Sequence, residues 1–154
     1  NWAMNPNPRE KASFLKENFV PLQEHGVLKF LPIQTNNLLS RGDINWIEGI
    51  DIAFVYGHTE AMMLPIIHGG LESTIFCADL IPSSKHIRLP YVMSYDLRPL
   101  VTMQEKQRLL DIAVDGNYRL IFEHDAYIES AKVKCEKPEV YEAIDMAESS
   151  ILPD

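Results

Sequence analysis

The sequence predicts an α+β domain in which short strands form a sheet and helices flank it. Runs rich in β-forming residues recur along the chain, separated by segments that contain glycine or polar residues. A later stretch that begins at Thr102 places apolar residues at helical spacing. With 154 residues, 46% apolar and 23% charged, the chain has the size and composition of one ordinary globular domain.

The first part of the chain predicts a helical connector. Apolar side chains lie among charges between Pro8 and Gly26, which fits one or two short helices broken at Pro21 and closed by Gly26. We therefore expect a connector over residues 1–26 and the sheet with its helices over residues 27–154.

The next segments predict strands joined by loops. Val27 to Leu31 is a candidate strand, and Gln34 to Asp43 is rich in Asn, Ser and Gly, as loops are. Ile50 to Tyr56 is rich in β-forming residues. Ala61 to Ile67 and Ser73 to Ala78 are apolar and are separated by a glycine-containing connection of hairpin length, which predicts a β-hairpin.

The second half of the chain begins with an irregular excursion from Leu80 to Leu100, of a length that is usually functional or disordered. Thr102 and Glu105 have the spacing of a capping box, which predicts a helix start at Thr102, and Gly116 predicts its end. The remaining predicted elements are the strands Tyr118 to Glu123 and Glu129 to Cys135 and the helix Pro138 to Glu148.

Charge, cysteine content and hydropathy exclude several classes of function. The formal net charge of −8 disfavours nucleic acid and anionic membranes as partners. No apolar run approaches the roughly 20 residues that span a bilayer, and the start lacks the pattern of a signal peptide, so we expect a soluble, cytoplasmic protein. Cys77 and Cys135 form no CxxC pair, which argues against a zinc ribbon or a disulfide framework.

Three strand-like runs end in a side chain that can bind a metal ion, namely His58, Asp79 and His124. The ends of neighbouring strands meet at one edge of a sheet, so these side chains are expected to share a cleft. Imidazole and carboxylate both bind zinc, and a carboxylate can bridge two ions. Dispersed His and Asp residues are nevertheless common in chains of this length, so the trio alone leaves an ordinary structural role open.

The residues around this trio resemble the later half of the metallo-β-lactamase superfamily. The likeness also covers the excursion, the helix after Thr102 and the first residues, so nearly the whole chain takes part. The segments that carry it are Asn5–Pro8, Gly57-His58-Thr59, Cys77–Pro82, Ser83–His86, Leu89–Asp96 and Phe122–Asp125.

The resemblance implies a fold, a site and a reaction. The intact protein would be an αββα sandwich, and this chain would be its C-terminal half, supplying the second β-sheet with flanking helices. His58 and His124 would be terminal ligands of a divalent metal pair, and Asp79 would bridge the two ions. Zinc is favoured as the metal, with iron or manganese as alternatives. Hydroxide held between the ions would hydrolyse an ester, thioester, lactone or phosphodiester.

One part of the family pattern is missing. The HxHxDH cluster, which supplies the remaining ligands in the family, occurs nowhere in the chain. The chain also begins with Asn1 rather than methionine, which suggests an excerpt of a longer protein. We therefore expect the chain alone to be metal-poor and inactive. Related lactonases often have a tyrosine at the position of Pro82 in this chain. This difference argues against a lactonase.

Other marked residues have both functional and ordinary interpretations. His86 lies where the family has a substrate-side residue, which predicts a catalytic hydrogen bond, although a solvated loop histidine is the alternative. Tyr91, Tyr95 and Asp96 either line the pocket or pack at the surface. The structural interpretation is favoured for three others, since His68 caps a turn, His25 caps a helix end and Cys77 is a buried small hydrophobe.

The expected partners follow from the half-fold. A small-molecule substrate is implied for the intact enzyme. Because a sandwich core is shared between two sheets, the chain alone would expose apolar surface, which predicts self-association or pairing with the missing N-terminal half. The rival hypothesis is a non-catalytic interaction domain that binds a partner through this exposed sheet.

Overall fold

The computed structural model describes residues 2–31 and 44–150. The chain divides into two compact units, Asn1–Ile33 and Gln34–Asp154. The loop predicted over residues 34–43 lies outside the described residues. Within the described part of the chain, no helix is both long enough and apolar enough to cross a bilayer.

The described residues of the first unit contain one helix, α1, Lys16–Glu24. The predicted break at Pro21 is wrong, because the helix continues past it, and the Pro21 carbonyl accepts both the backbone N–H and the Nδ1–H of His25. The strand predicted from Val27 to Leu31 is also wrong. The N–H groups of Val27 and Leu28 bond to the carbonyl of Leu22, so these residues close the helix end instead of pairing with a strand.

The second unit is built on one sheet, in which the described strands lie side by side in chain order from β1 to β7. All neighbours are antiparallel except β4 and β5, which are parallel and are joined by a long connection that contains helix α2. The bounds are β1 Ile44–Ile47, β2 Ile50–Val55, β3 Met62–His68, β4 Ser73–Phe76, α2 Pro99–Asp115, β5 Arg119–Ile121, β6 Ile128–Lys137 and β7 Val140–Glu148.

The core lies between α2 and one face of the sheet. Leu109 of α2 is fully buried in the same cluster as Leu64 and Ile66 of β3. Met63 and Ile67 alternate with these residues and therefore belong to the opposite face, where they are 52% and 42% exposed. The helix thus covers one face, and the other face keeps exposed apolar side chains.

The predicted hairpin is confirmed. Ile66 pairs with Ile75 and His68 with Ser73, as expected for strands β3 and β4 joined by a short connection. The strands predicted before His58, before His124 and after Glu129 are present as β2, β5 and β6. Strand β1 was not predicted.

The predicted terminal helix, Pro138 to Glu148, is wrong, because this segment is strand β7. Glu139, which lies in the tight connection after β6, has a φ of +66°, a turn conformation that reverses the chain. Tyr141 then pairs with Cys135, is buried, and donates its hydroxyl hydrogen to Asp111 of α2. These contacts with β6 and α2 override the local helical pattern.

The start of the long helix also differs from the prediction. Helix α2 begins at Pro99, a residue that suits the first helical turn because its missing N–H needs no partner there. Thr102 and Glu105 are buried inside the helix and do not form a capping box. Both instead contact the segment that follows β2.

Candidate metal centre

The three predicted ligands lie at one edge of the sheet because their strands run in the same direction. Strands β4 and β5 are parallel, and β2 is antiparallel to β3, which is antiparallel to β4. The chain therefore leaves β2, β4 and β5 at the same edge. His58 and His124 follow β2 and β5, each after a few residues.

Asp79 reaches this edge from a short helical turn and not from a strand. Strand β4 ends at Phe76, and Asp79 lies in the 3₁₀ turn Ala78–Leu80. Ala78 has a φ of +44°, so the backbone changes direction immediately before Asp79. The N–H of Cys77 still bonds to the carbonyl of Ile121, which keeps this turn attached to the end of β5.

The segment that carries His58 is held by the first turns of α2. The Glu105 carboxylate accepts the N–H groups of Tyr56 at 2.7 Å and Gly57 at 2.9 Å. Burial raises the pKa of Glu105, while these two hydrogen bonds oppose the rise. The carbonyl of His58 accepts the N–H of Leu97, so the segment is fixed on both sides.

His58 and His124 each face a different oxygen of Asp79. Nε2 of His58 lies 3.3 Å from Asp79 Oδ2, and Nε2 of His124 lies 3.2 Å from Asp79 Oδ1. Two ligands of one tetrahedral ion, with bonds of about 2.0–2.1 Å, lie about 3.3 Å apart. The structure thus brings the predicted trio together, with the carboxylate in the middle.

The donor set suits a metal but is incomplete. Asp79 Oδ1 is buried, and although Nε2 of His124 lies 3.2 Å away, the two do not form a well-aligned hydrogen bond. Each side of Asp79 offers one imidazole and one carboxylate oxygen, and the described residues contain no group of three or more His, Cys, Asp or Glu side chains that could hold an ion. The residues therefore fit part of the coordination of two ions, and further ligands are needed for tight binding.

Asp96 orients His58, a role that the sequence did not reveal. The Asp96 side chain is fully buried, and its Oδ1 lies 2.8 Å from Nδ1 of His58. This contact places the proton on Nδ1 when the ring is neutral and directs Nε2 towards Asp79, which is how carboxylates orient metal-binding histidines. Asp96 is 38 residues from His58 in sequence, so no local pattern connects the two.

The two carboxylates also change the protonation of His58. Hydrogen bonding to Asp79, then to Asp96, raises the pKa of His58 to about 9 despite its burial. The same contact with His58 lowers the pKa of Asp79 against its own burial. A metal ion that binds here must displace the His58 proton, so metal binding is coupled to proton release.

His86 and the tyrosines lie in the segment before α2. His86 is in the 3₁₀ turn Ser84–Ile87, and its Nδ1 lies 2.8 Å from the Ser83 hydroxyl oxygen. The ring of Tyr95 meets the ring of His58 edge-on at 5.9 Å and is 56% exposed. Tyr91 is exposed and lies under the Arg88 guanidinium. Tyr95 therefore borders the candidate ligand His58.

Two residues that the sequence favoured as structural, His68 and Cys77, have structural surroundings. His68, the last residue of β3, lies 2.8 Å from Asp51 of β2 and 3.2 Å from the hydroxyl oxygen of Ser73 in β4. It therefore connects three neighbouring strands. Cys77 is fully buried, and burial raises the pKa of its thiol. The contacts of His68 and the burial of Cys77 stabilise the sheet.

Asp125 links the His124 segment to the segment that carries His86. Its carboxylate accepts the N–H and hydroxyl of Ser84 and the N–H groups of Tyr127 and Ile128. Burial raises the pKa of Asp125, but these hydrogen bonds together outweigh burial and lower it to about 2.

Asp125 should make the stability of the chain sensitive to acid. Because its folded pKa of about 2 lies below the ordinary value of 3.8, its contribution is present above pH 4 and is lost as the pH falls towards 2. We expect Asp125→Asn to lower the free energy of unfolding by about 1–3 kcal/mol at pH 6, and the difference from the wild type to become much smaller as the pH falls through 2. Urea unfolding across this range measures it, with the exposed Glu123→Gln as control. A difference as large at pH 2 as at pH 6 contradicts the prediction.

Comparisons with known proteins show the fold. No family model and no curated protein matches the chain. A probable metal-dependent hydrolase from Staphylococcus aureus matches with a TM-score of 0.77 and 18% identity, over 99% of this chain and 50% of that one. The hydrolase AbOPH of the β-lactamase superfamily matches with 0.69 and 17%, over 92% and 48%.

A third solved structure agrees. AidC, a dizinc quorum-quenching lactonase, matches with a TM-score of 0.64 and 20% identity, over 93% of this chain and 50% of that chain. The chain thus spans about half the length of the structures that it matches. Its fold is mixed α+β and corresponds to half of a metallo-β-lactamase fold, as the sequence predicted.

Proposed function

We propose that this chain is the C-terminal half of a metal-dependent hydrolase of the metallo-β-lactamase superfamily and supplies its later metal ligands. The observation that carries the proposal is the contact of both His58 and His124 with the two oxygens of Asp79. The solved structures that share the fold are described as hydrolases, and one of them as a dizinc lactonase. These descriptions support the proposal of a metal-dependent hydrolase.

The proposed roles follow from the geometry. His58 and His124, through Nε2, and Asp79, through its carboxylate, would hold a pair of divalent ions. When bound, the ions act as Lewis acids and lower the pKa of water. Asp96 fixes the His58 ring, and His86 is the proposed hydrogen-bond donor to a small-molecule ester, thioester, lactone or phosphodiester.

The proposal predicts a clear difference between this chain and a longer protein that includes it. The chain alone offers two donors to each ion and should bind zinc weakly, without hydrolase activity. A longer protein that carries an HxHxDH cluster upstream of Asn1 should bind two ions and hydrolyse substrates. Metal analysis and a panel of ester, thioester, lactone and phosphodiester substrates test both. A longer protein that has the cluster but binds no metal would disprove the proposal.

Asp96 provides a graded test of the same site. Asp96→Asn keeps the size of the side chain but weakens the hydrogen bond that orients His58, so we expect metal affinity in the longer protein to fall by about 10–100-fold. The exposed Asp115→Asn is the matched control, because it makes the same chemical change at the end of α2. Competition with a zinc-binding dye measures both variants. If the two variants bind zinc with equal affinity, Asp96 does not support metal binding.

The exposed face of the sheet favours a second candidate function, a non-catalytic domain that associates through this face. Met63 and Ile67 expose apolar surface there, and further apolar exposure occurs at Ile47. We propose that the occupant is a second copy of the chain when no other half is present. Gel filtration of the wild type should then show a dimer, and Met63→Lys should shift it to a monomer. Leu71→Lys, in the exposed hairpin connection, should not. A wild-type monomer rejects this candidate.

A further inference from the structure

The segment between the Asp79 turn and α2 has little regular structure of its own. It contains the 3₁₀ turn Ser84–Ile87 and a few local hydrogen bonds, such as Tyr91 N–H to the carbonyl of Arg88. Backbone carbonyls in such a segment need partners when they are shielded from water. Lys106 of α2 supplies them.

Lys106 is a fully buried lysine whose ammonium group is used entirely by this segment. Its side chain is 0% exposed, and Nζ donates to the carbonyls of His86 at 3.1 Å, Arg88 at 2.9 Å and Tyr91 at 2.7 Å. An ammonium group has three hydrogen atoms, so these three acceptors use all of them. A buried lysine is rare unless such partners compensate it.

We propose that Lys106 is the positioning residue that fixes the segment from His86 to Tyr91 and, with it, the His86 imidazole. The catalytic importance of this positioning depends on the function proposed above, whereas the positioning itself does not. Lys106 acts through the backbone, and the Ser83 hydroxyl contacts Nδ1 of the His86 ring, so both the main chain and the ring are held.

The neighbouring residue of α2 shows why this helix matters for the site. Glu105 accepts two N–H groups from the segment before His58, and Lys106 donates to three carbonyls of the segment that carries His86. A carboxylate and an ammonium group next to each other in one helix thus hold the two segments through opposite hydrogen-bonding chemistry. The helix sets the spacing between them.

Lys106 also influences the charge state of His86. Burial lowers the pKa of His86, the positive charge of Lys106 lowers it further, and the carboxylate of Asp96 opposes both. Ser83 contributes a neutral hydrogen bond to the same ring. Removing the charge at position 106 should therefore raise the pKa of His86, and increased exposure of the ring would raise it further.

The test compares Lys106→Met with Lys85→Met, which removes an exposed lysine next to His86. For Lys106→Met we expect amide hydrogen exchange over residues 86–91 to accelerate by about tenfold or more, while the amides of β3 and β4 stay unchanged. An NMR titration of the His86 ring should show a raised pKa. Lys85→Met should show neither change. Unchanged exchange over residues 86–91 in Lys106→Met overturns the proposal.

A measurement on the unaltered chain covers the case in which Lys106→Met does not fold. With ¹⁵N-labelled lysine, the Lys106 ammonium protons should exchange with water far more slowly than those of exposed lysines, because all of them are hydrogen-bonded and buried. Equally fast exchange overturns the proposal. None of these measurements requires hydrolase activity. The positioning role of Lys106 can therefore be confirmed even if the proposed hydrolase function is disproved.

Discussion

Gly57→Ala should be among the most damaging single substitutions in this chain. A Cβ atom at Gly57 would lie 2.3 Å from the backbone nitrogen and 2.4 Å from the hydroxyl oxygen of Thr102. Because one of these atoms belongs to the backbone of α2, the helix and the His58 segment must move apart. We expect the free energy of unfolding to fall by at least about 3 kcal/mol, measured by urea unfolding.

The same substitution should also disturb the site. Gly57 and Tyr56 donate their N–H groups to Glu105, and separating the segments breaks these hydrogen bonds and shifts His58. The matched control is Gly70→Ala, because a Cβ at Gly70 meets no atom within 4 Å. That variant should stay within about 0.5 kcal/mol of the wild type. If both variants lower the free energy of unfolding equally, the close approach of Gly57 to Thr102 does not explain the effect of Gly57→Ala.

Asp79→Asn should have the largest effect on activity in a longer protein with the complete ligand set. The amide keeps the size of the carboxylate but replaces one of the two oxygens of the proposed bridge with a nitrogen that cannot bind a metal ion. We expect the metal content to fall from two ions towards one. The rate of hydrolysis should drop by about a thousand-fold or more, which corresponds to the several kcal/mol that a metal pair contributes.

The chain alone offers a second readout of Asp79→Asn. Hydrogen bonding to Asp79 is the largest cause of the raised pKa of His58, so the pKa should fall below the value of about 9 in this variant. An NMR titration of the His58 ring measures the change, and Asp115→Asn is again the control. A longer protein that keeps its activity within tenfold after Asp79→Asn would exclude a bridging role for this residue.

Local patterns were sufficient for several parts of the fold. Two apolar segments separated by a glycine-containing connection of hairpin length predicted the β3–β4 hairpin, which is confirmed because the two strands are neighbours along the chain. Patterns that depended on distant partners failed. The segment from Pro138 to Glu148 carries a helical composition, yet it pairs with β6 and contacts α2 through Tyr141, and these contacts decide its structure.

By itself, the sequence identified His58, Asp79 and His124 as candidate ligands, because each follows a strand-like run and the residues around them resemble the metallo-β-lactamase superfamily. Only the tertiary structure decided how they are arranged and supported. The contacts of Asp96 with His58, Glu105 with Gly57 and Lys106 with the His86 segment each join residues at least 15 positions apart. Such pairings leave no periodic signal along the chain, since they arise where the folded backbone brings buried polar groups together and each must find a partner.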